Sequence, residues 1–307
     1  MTSFDQPSVV AIGVFDGVHF GHQALTSTAV SIAQTNNLRP IALTFDPHPM
    51  TVIRGMDIQS LTSIERRKQL LLSLGIEQVH VCDFGPVRAA QTPAEFIREV
   101  LIAELGATHV VVGKGFKFGR GAAGRAEDFR EAGLIVQEVD QVVLTGARVS
   151  STRIRETIAA GDIADANQML TRPHRFQGVV VGGMKRGREL GYPTANLKPL
   201  FTQAAPADGV YAGYLSVLNN FEEMVEQWPA AISVGTNPTF DDVPERVVEA
   251  YALDENTLDL YDKLVAVDFV AQIRPMVAFS SIAELIAEMA QDVRKTRDIL
   301  GHVPPLR

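Results

Sequence analysis

Short apolar segments alternate with amphipathic helical patterns through the first half of the chain. The apolar segments have strand length and predict strands at residues 9–15, 40–45, 78–84, 109–113 and 135–139. Helix signals lie between them: Ser63 and Thr92 are typical N-caps, and Pro93 suits a first helical turn. This spacing predicts a parallel sheet covered by helices, with ligands at the carboxyl ends of its strands.

The pattern changes near residue 172. Two short helical segments, 153–160 and 163–170, precede runs rich in Val, Tyr and Phe that Gly, Pro, Asn and Asp interrupt. These runs predict antiparallel strands, which suit a small barrel, at 176–181, 209–218, 230–234, 246–253 and 264–270. Ser281 and Glu284 form a capping box for a last helix. Its expected apolar face is Ile282, Leu285, Ile286, Met289 and Val293. We therefore expect two domains, 1–172 and 173–307.

Composition narrows the classes of function. The 307 residues are 46% hydrophobic, enough for two ordinary cores, and the net charge of −8 argues against nucleic acid as a partner. The single cysteine, Cys82, excludes an intramolecular disulfide and a cysteine-rich zinc site. Residues 1–8 do not resemble a signal peptide, and no apolar run approaches the roughly 20 residues that span a bilayer. We expect a cytoplasmic protein without a membrane partner; a homo-oligomer is compatible with the sequence.

A segment rich in glycine and histidine follows the first predicted strand. It reads GVFDGVHFGH over residues 13–22, and a helix is predicted to start near its end. Glycines allow a tight turn and a close approach to a ligand, and a helix N-terminus attracts phosphate. His19 and His22 can both donate to one oxyanion. A pair of capping or surface histidines is an equally good interpretation, and a zinc site is a weaker one because further ligands are missing at suitable spacing.

Two further segments indicate polyphosphate chemistry. Asp46 follows the second predicted strand, at the edge where ligands bind. Residues 150–155 read SSTRIR and open a helix with hydroxyls and two guanidinium groups, which suit a polyphosphate.

In this order and spacing, these segments resemble the adenylyltransferase domain of bacterial bifunctional riboflavin kinase/FAD synthetases. The resemblance implies an α/β, Rossmann-like nucleotidylyltransferase domain with His19, His22 and Arg153 in catalysis. The ATP- and phosphate-binding residues that it implies are Gly13, Phe15, Asp16, Gly17, Gly21, Ser150, Ser151, Thr152 and Arg155. The flavin-binding residues that it implies are Asp46, Pro47, His48, Gly115, Phe116 and Phe118.

Gly115 departs from the family pattern. The family places Asn or Asp at this position of the flavin-side loop, which here reads GKGFKFG over residues 113–119. The departure is either harmless, with Lys114 and Lys117 supplying positive charge, or it weakens adenylylation.

A second constellation lies in the β-rich half. Residues 182–196 read GGMKRGRELGYPTAN; the glycines and cations form either a phosphate cradle or a solvated turn. Thr194 and Asn196 offer oxygen ligands of the kind that Mg²⁺ prefers. With residues 208–213, 233–240 and 248–251, this segment resembles the riboflavin kinase domain, a six-stranded barrel with C-terminal helices.

The kinase resemblance assigns further roles. It implies that Mg²⁺ binds at Thr194 and Asn196, and that Glu249 is the base that accepts the proton of the ribityl hydroxyl. It also implies that Arg297 closes over the flavin. The ATP phosphates are expected at Gly182, Lys185 and Arg188. An outward-facing, inert Glu249 is the alternative. In residues 259–262, DLYD, an Asp stands where the family commonly has Gly, which can alter a turn.

Three functions follow from these patterns. The first is a bifunctional enzyme that uses riboflavin, FMN and ATP, with Mg²⁺. The second is a riboflavin kinase whose first domain binds nucleotide but adenylylates slowly, as Gly115 suggests. The third is a flavin carrier or sensor without turnover, which has no use for a predicted base and metal ligands.

Overall fold

The structure is a computed structural model that describes residues 6–182, 192–236, 246–255 and 258–301. The chain forms two compact units, Met1–Ile58 with Thr62–Ser151, and Gln59–Leu61 with Thr152–Arg307. Among the residues described, no helix is long and apolar enough to cross a membrane.

A five-stranded parallel sheet forms the centre of the first unit. Its strands are β1 (Ser8–Ile12), β2 (Arg39–Asp46), β3 (Gln78–Asp83), β4 (Ala107–Gly113) and β5 (Ile135–Val139). They are ordered β3-β2-β1-β4-β5, and every pair is parallel, which confirms the predicted sheet. The chain builds outward from β1 to β3 and then crosses to β4, so β1 and β4 flank a switch point, where open α/β sheets bind ligands.

Helices cover both faces of this sheet. They are α1 (Phe20–Asn36), α2 (Pro49–Arg54), α3 (Ile64–Ser73), α4 (Pro86–Ala89), α5 (Pro93–Phe96) and α6 (Ala126–Glu131). A π-helix, Ile97–Glu104, continues α5; a 3₁₀ turn, Arg120–Ala122, and a hairpin of β6 (Val143–Leu144) and β7 (Ala147–Arg148) complete the unit. Alternate residues of β1 point to opposite faces. Val10 and Ile12 therefore join one apolar core, while Val9 and Ala11 join another.

The second unit is a closed six-stranded barrel with attached helices, as predicted. After α7 (Ser151–Ala159) and α8 (Ile163–Leu170) come β8 (His174–Val181), β9 (Ala195–Pro199), β10 (Gly209–Leu218), β11 (Met224–Thr236), β12 (Arg246–Ala252), β13 (Leu264–Pro275) and α9 (Ile282–Leu300). The barrel order is β10-β11-β12-β9-β8-β13. Asn167 fastens α8 to the barrel, because its amide donates to the carbonyl of Phe269 at 2.9 Å and accepts from the His174 amide at 2.8 Å.

The predicted apolar face of α9 is wrong for the first turns of the helix. Ile282 is 66% exposed and Ile286 is also exposed. The buried side of the helix instead carries Asp292, whose carboxylate accepts from the guanidinium of Arg274 at 2.7 Å, and Thr296, whose hydroxyl donates to the Asp292 carbonyl at 2.8 Å. A buried ion pair therefore joins the apolar residues Ile299 and Leu300 in docking this helix, and hydrophobic periodicity cannot reveal such a pair.

Candidate active sites

A histidine pair begins α1 at the end of the loop that follows β1. His19 is the N-cap: its Nδ1 accepts from the backbone amide of His22 at 3.3 Å. The two imidazole rings are stacked, with centroids 3.6 Å apart. Gly21 makes room for this stack, because a Cβ there would lie 3.2 Å from Cε1 of His19. The interpretation of His19 as a helix cap is confirmed. That the pair also binds phosphate stays a prediction, which its place at a helix N-terminus favours.

The glycine-rich loop and the serine motif are brought together in the first unit. The Ser151 hydroxyl donates to the backbone carbonyl of Asp16 at 2.8 Å. The side chain of Asp16 is buried, and so is that of Phe15. Gly13 has a related packing role, because a Cβ there would lie 3.2 Å from the Phe15 ring, whereas Gly17 supplies a φ of +85°. These four loop residues can therefore serve a phosphate only through their backbone.

The segment after β2 lies at the same edge of the sheet. Asp46 is exposed, and its peptide bond to Pro47 is cis. His48 caps α2, because its Nδ1 accepts from the amide of Met50 at 3.1 Å. Asp46 and Pro47 thus remain accessible to a flavin, while one ring nitrogen of His48 is occupied by the helix.

The flavin-side loop after β4 divides into exposed and buried residues. Gly115 is exposed with a φ of +75°, and a Cβ there would meet no atom within 4 Å. Lys114 pairs with Asp140 at 3.0 Å, a contact that raises the pKa of the lysine. Phe116 is half-buried, whereas Phe118 belongs to the core and stacks on Phe129 with centroids 4.3 Å apart. Direct contact with a flavin is therefore open to Phe116 and closed to most of the Phe118 ring.

The two arginines of the serine motif have protein partners. Ser150 ends the first unit together with Ser151, and Thr152 is an exposed residue of α7. Arg153 pairs with Asp165 at 3.0 Å, and Arg155 donates from Nε to the carbonyl of Gln59 at 2.7 Å. Both arginines belong to the second unit. That they bind a polyphosphate stays a prediction.

A pocket opens in the barrel beside the predicted metal ligands. It is lined by Val180, Pro193, Thr194, Ala195, Asn196, Leu215, Ala250, Ala252, Glu255, Leu258, Leu260 and Tyr261. Thr194 and Asn196 are therefore at the wall of a cavity that combines polar and apolar surface.

Glu249 lies beside Asn196. The two residues are directly paired across β12 and β9, and Ser233 of β11 is opposite Glu249 on its other side. Directly paired residues point to the same face with Cβ atoms about 4.5–5.5 Å apart. Burial raises the pKa of the Glu249 carboxyl group. The residues on either side of Glu249 in β12, Val248 and Ala250, are fully buried. Because neighbouring residues of a strand point to opposite faces, Glu249 points away from the barrel interior, where it is still half-buried.

The oxygen donors on this face suit a hard cation. Thr194 and Asn196 are two residues apart and supply a hydroxyl and an amide oxygen, and the Glu249 carboxylate is adjacent to Asn196. Within the part of the chain that the structure describes, no group of three or more His, Cys, Asp or Glu side chains could hold a metal ion alone. Mg²⁺ accepts such a donor set when phosphate oxygens and water complete the octahedron.

Arg297 is placed at the turn that follows β12. It pairs with Asp254, which has a φ of +64°, directly precedes the pocket residue Glu255 and is separated by one residue from the pocket residue Ala252. Its predicted contact with flavin stays a prediction. Gly182 is described and has open space around it, whereas Lys185 and Arg188 lie outside the described residues, as do residues 237–240.

Sequence reasoning missed two contributors to these sites. The first is strand β9, for which no strand is predicted, because it has only five residues and ends in Lys198 and Pro199. The second is Arg67, a buried arginine of α3 that contacts Asp16. The two residues are 51 positions apart in the chain, and a local sequence pattern cannot predict a contact over that separation.

Comparisons with known proteins agree with this two-site arrangement. The model of the FAD synthetase family matches residues 1–153, and that of the riboflavin kinase family matches residues 170–300. A bifunctional riboflavin kinase/FMN adenylyltransferase from Listeria monocytogenes is 33% identical over 95% of this chain and 92% of its own. The Escherichia coli protein of that name is 32% identical over 97% and 94%.

A solved structure of similar length has the same fold. It is a crystal structure described as a macrolide-efflux protein from Streptococcus pneumoniae, with a TM-score of 0.86 and 33% identity over 96% of this chain and 95% of its own. Two matched domain families and relatives spanning nearly the whole length decide the assignment. The chain belongs to the family of bifunctional riboflavin kinase/FMN adenylyltransferases.

Proposed function

We propose that the chain makes FAD from riboflavin in two ATP-dependent reactions, with one reaction in each unit. The barrel unit transfers the γ-phosphoryl group of ATP to the 5′-hydroxyl of riboflavin, which gives FMN and ADP. The sheet unit transfers AMP from a second ATP to the phosphate of FMN, which gives FAD and pyrophosphate. The observation that carries this proposal is the pairing of Glu249 with Asn196, which joins a desolvated carboxylate to a hard oxygen donor at the pocket wall.

The kinase reaction requires a base, and Glu249 suits that role. The ribityl hydroxyl is protonated near neutral pH, so its attack on phosphorus needs a group that accepts the proton. A carboxylate whose pKa is raised by burial is a stronger base than an exposed one. In this proposal Glu249 takes the proton as the hydroxyl oxygen bonds to the γ-phosphorus, and ADP leaves with the electrons of the broken bond.

Thr194 and Asn196 are the residues that we propose as Mg²⁺ ligands. When bound there, Mg²⁺ would neutralise charge on the ATP phosphates. The chain's own contribution is to fix two neutral oxygens at the pocket wall, since Asn196 is held in β9 between β8 and β12.

The adenylylation reaction does not require a base. The phosphate monoester of FMN has a second pKa near 6, so it is largely a dianion at neutral pH and attacks the α-phosphorus of ATP directly. What the protein must supply is orientation and stabilisation of charge. The stacked His19 and His22 at the N-terminus of α1, with the backbone of residues 13–17, offer donors for that purpose.

A second candidate is a kinase with weak adenylylation. Gly115 favours it, because no side chain occupies the open space at this position of the flavin-side loop. One product assay separates the candidates. The purified chain is incubated with riboflavin, ATP and Mg²⁺, and the flavins are separated; we expect FAD. Accumulation of FMN alone would support the second candidate, and unchanged riboflavin would contradict both.

A further inference from the structure

Arg67 is a buried arginine that ties together two strand ends in the first unit. It is 4% exposed. Its Nη1 donates to the Thr44 hydroxyl at 3.0 Å and to the Phe45 carbonyl at 3.3 Å, and its Nη2 lies 3.5 Å from the Asp16 carboxylate. The Thr44 hydroxyl in turn donates to the carbonyl of Val14 at 2.7 Å. One guanidinium therefore links the loop after β1 to the end of β2.

Asp16 depends on these contacts because its side chain is only 1% exposed. Its Oδ1 also accepts from the backbone amide of Thr62 at 3.2 Å and from the Thr62 hydroxyl at 3.4 Å. The hydroxyl of Thr62 accepts from the amide of Gly17 at 3.2 Å. A buried carboxylate is tolerated when it is paired and hydrogen-bonded, and Arg67 supplies the opposite charge.

The loop that Asp16 anchors has a strained backbone. Phe15 has a φ of +53° and Val18 a φ of +39°, in a region that side chains other than glycine rarely occupy. Such residues keep their conformation only where the surrounding structure imposes it. Asp16 lies between them, and the loop leads directly into His19, the N-cap of α1. A shift of this anchor would therefore move His19 and the adjacent backbone amides.

We propose that Arg67 is a positioning residue for adenylyl transfer. Through Asp16 and Thr44 it holds residues 13–19 in the conformation that presents His19 and the N-terminus of α1 to the polyphosphate. This inference rests on the adenylylation proposed above for the first unit. Arg67 is enclosed by protein and does not itself contact substrate. Because an error of about 1 Å in position can slow a reaction about 100-fold, the effect belongs in kcat.

The first test compares Arg67→Met with Lys68→Met. The neighbouring lysine is a matched control on the same helix, and its partner is the exposed Glu65. We expect Arg67→Met to lower kcat for FAD formation from FMN about 10- to 100-fold, with both KM values within about threefold of wild type. Riboflavin phosphorylation by the same protein should be unchanged, and Lys68→Met should match wild type in both reactions.

Three further variants test the route through Asp16: Arg67→Lys, Asp16→Asn, and the double variant that combines Asp16→Asn with Arg67→Met. Arg67→Lys keeps the charge beside Asp16 but loses the planar fork that reaches three partners, so we expect partial recovery of kcat. The double variant Asp16→Asn/Arg67→Met leaves no unpaired buried charge. It should fold even if Arg67→Met does not, and its loss of kcat should be smaller than the product of the single losses.

The outcomes separate this inference from the proposed function. A wild-type kcat in Arg67→Met, a rise in KM alone, or multiplicative losses in the double variant would overturn the positioning role while leaving adenylylation established. If the wild-type protein makes FMN but no FAD, the adenylylation proposal fails, and the role of Arg67 in it fails with it.

Discussion

Glu249 of β12 and Asn196 of β9 are directly opposite each other in the barrel sheet. This register places a carboxylate with a raised pKa beside an amide oxygen that lines the pocket. The proposed base and the proposed metal ligand are therefore held relative to each other by the pairing of two strands. The two side chains can therefore move little relative to each other, which suits a reaction whose rate depends on how precisely the reacting groups are positioned.

Glu249→Gln should remove most kinase turnover. A positioned base contributes about 10²–10⁴-fold, and the amide keeps the size of the side chain but cannot accept the proton. Adenylylation of supplied FMN should continue at the wild-type rate, which serves as the control for folding. Steady-state rates of both reactions check this, and retention of more than about half of kcat would eliminate Glu249 as the base.

The raised pKa of Glu249 also predicts opposite pH trends for activity and stability. The proposed base acts as a carboxylate, so we expect kinase activity to fall as the pH drops through a pKa above the ordinary value of 4.5. A pKa raised by burial means that the protonated form is favoured in the folded state. The stability linked to Glu249 is therefore present at acid pH and lost as the pH rises through that pKa. We expect Glu249→Gln to be more stable than wild type at about pH 8, with the difference shrinking toward about pH 4. Urea unfolding at both pH values measures this, and a destabilised variant at the higher pH would contradict it.

Gly21→Ala should impair adenylylation and spare the kinase. The added Cβ would lie 3.2 Å from Cε1 and 3.3 Å from Nδ1 of His19, so the stacked histidine pair must shift. Gly85→Ala is the matched control, because its Cβ would meet its nearest neighbour at 3.9 Å. We expect a loss of about 10-fold or more in FAD formation for Gly21→Ala alone. Equal rates in the two variants would show that the stack is not required.

The barrel unit should depend on α8. This helix buries Ile163, Ala166, Met169 and Leu170, and Asn167 bonds to the carbonyls of Phe269 and Val270 at 2.9 and 3.3 Å. A fragment of residues 152–307 should therefore be more stable than one of residues 173–307, at roughly 1.5–3 kcal/mol for each large apolar side chain retained. Both should phosphorylate riboflavin when folded. Thermal unfolding ranks the fragments, and equal midpoints would show that α8 contributes nothing to the barrel.

The sequence predicted elements well where local pattern decides them. Strand 135–139 and helix 163–170 were predicted with the bounds observed, and Thr92 is the N-cap of α5, as predicted. The parallel sheet and the barrel were predicted from the order of such strands and helices along the chain. Contacts between residues that are far apart in the sequence could not be predicted. The burial of Phe118 against Phe129 and the pairing of Asp292 with Arg274 belong to this class. An apolar or charged residue looks the same in sequence whether it meets a ligand or the core.

Gly115→Asn should accelerate FAD formation. The position has a φ of +75°, which asparagine tolerates better than most residues, and the new Cβ would meet no atom within 4 Å. The family places Asn or Asp here, and one hydrogen bond to a charged group is worth about 1.5–3 kcal/mol, or about 10- to 100-fold in rate. Lys114 is already paired with Asp140, so its charge is not fully available to replace that contact. The measurement is kcat/KM for FMN at saturating ATP and Mg²⁺.

Gly121→Asn is the matched control for this substitution. Gly121 is also exposed, with a φ of +64° and open space around its Cβ, so the variant reproduces the backbone cost of replacing a left-handed glycine. We expect it to leave kcat/KM for FMN at the wild-type value. An unchanged or lower ratio in Gly115→Asn would mean that the missing side chain costs nothing. The wild-type loop would then already hold the FMN phosphate through backbone amides and Lys117.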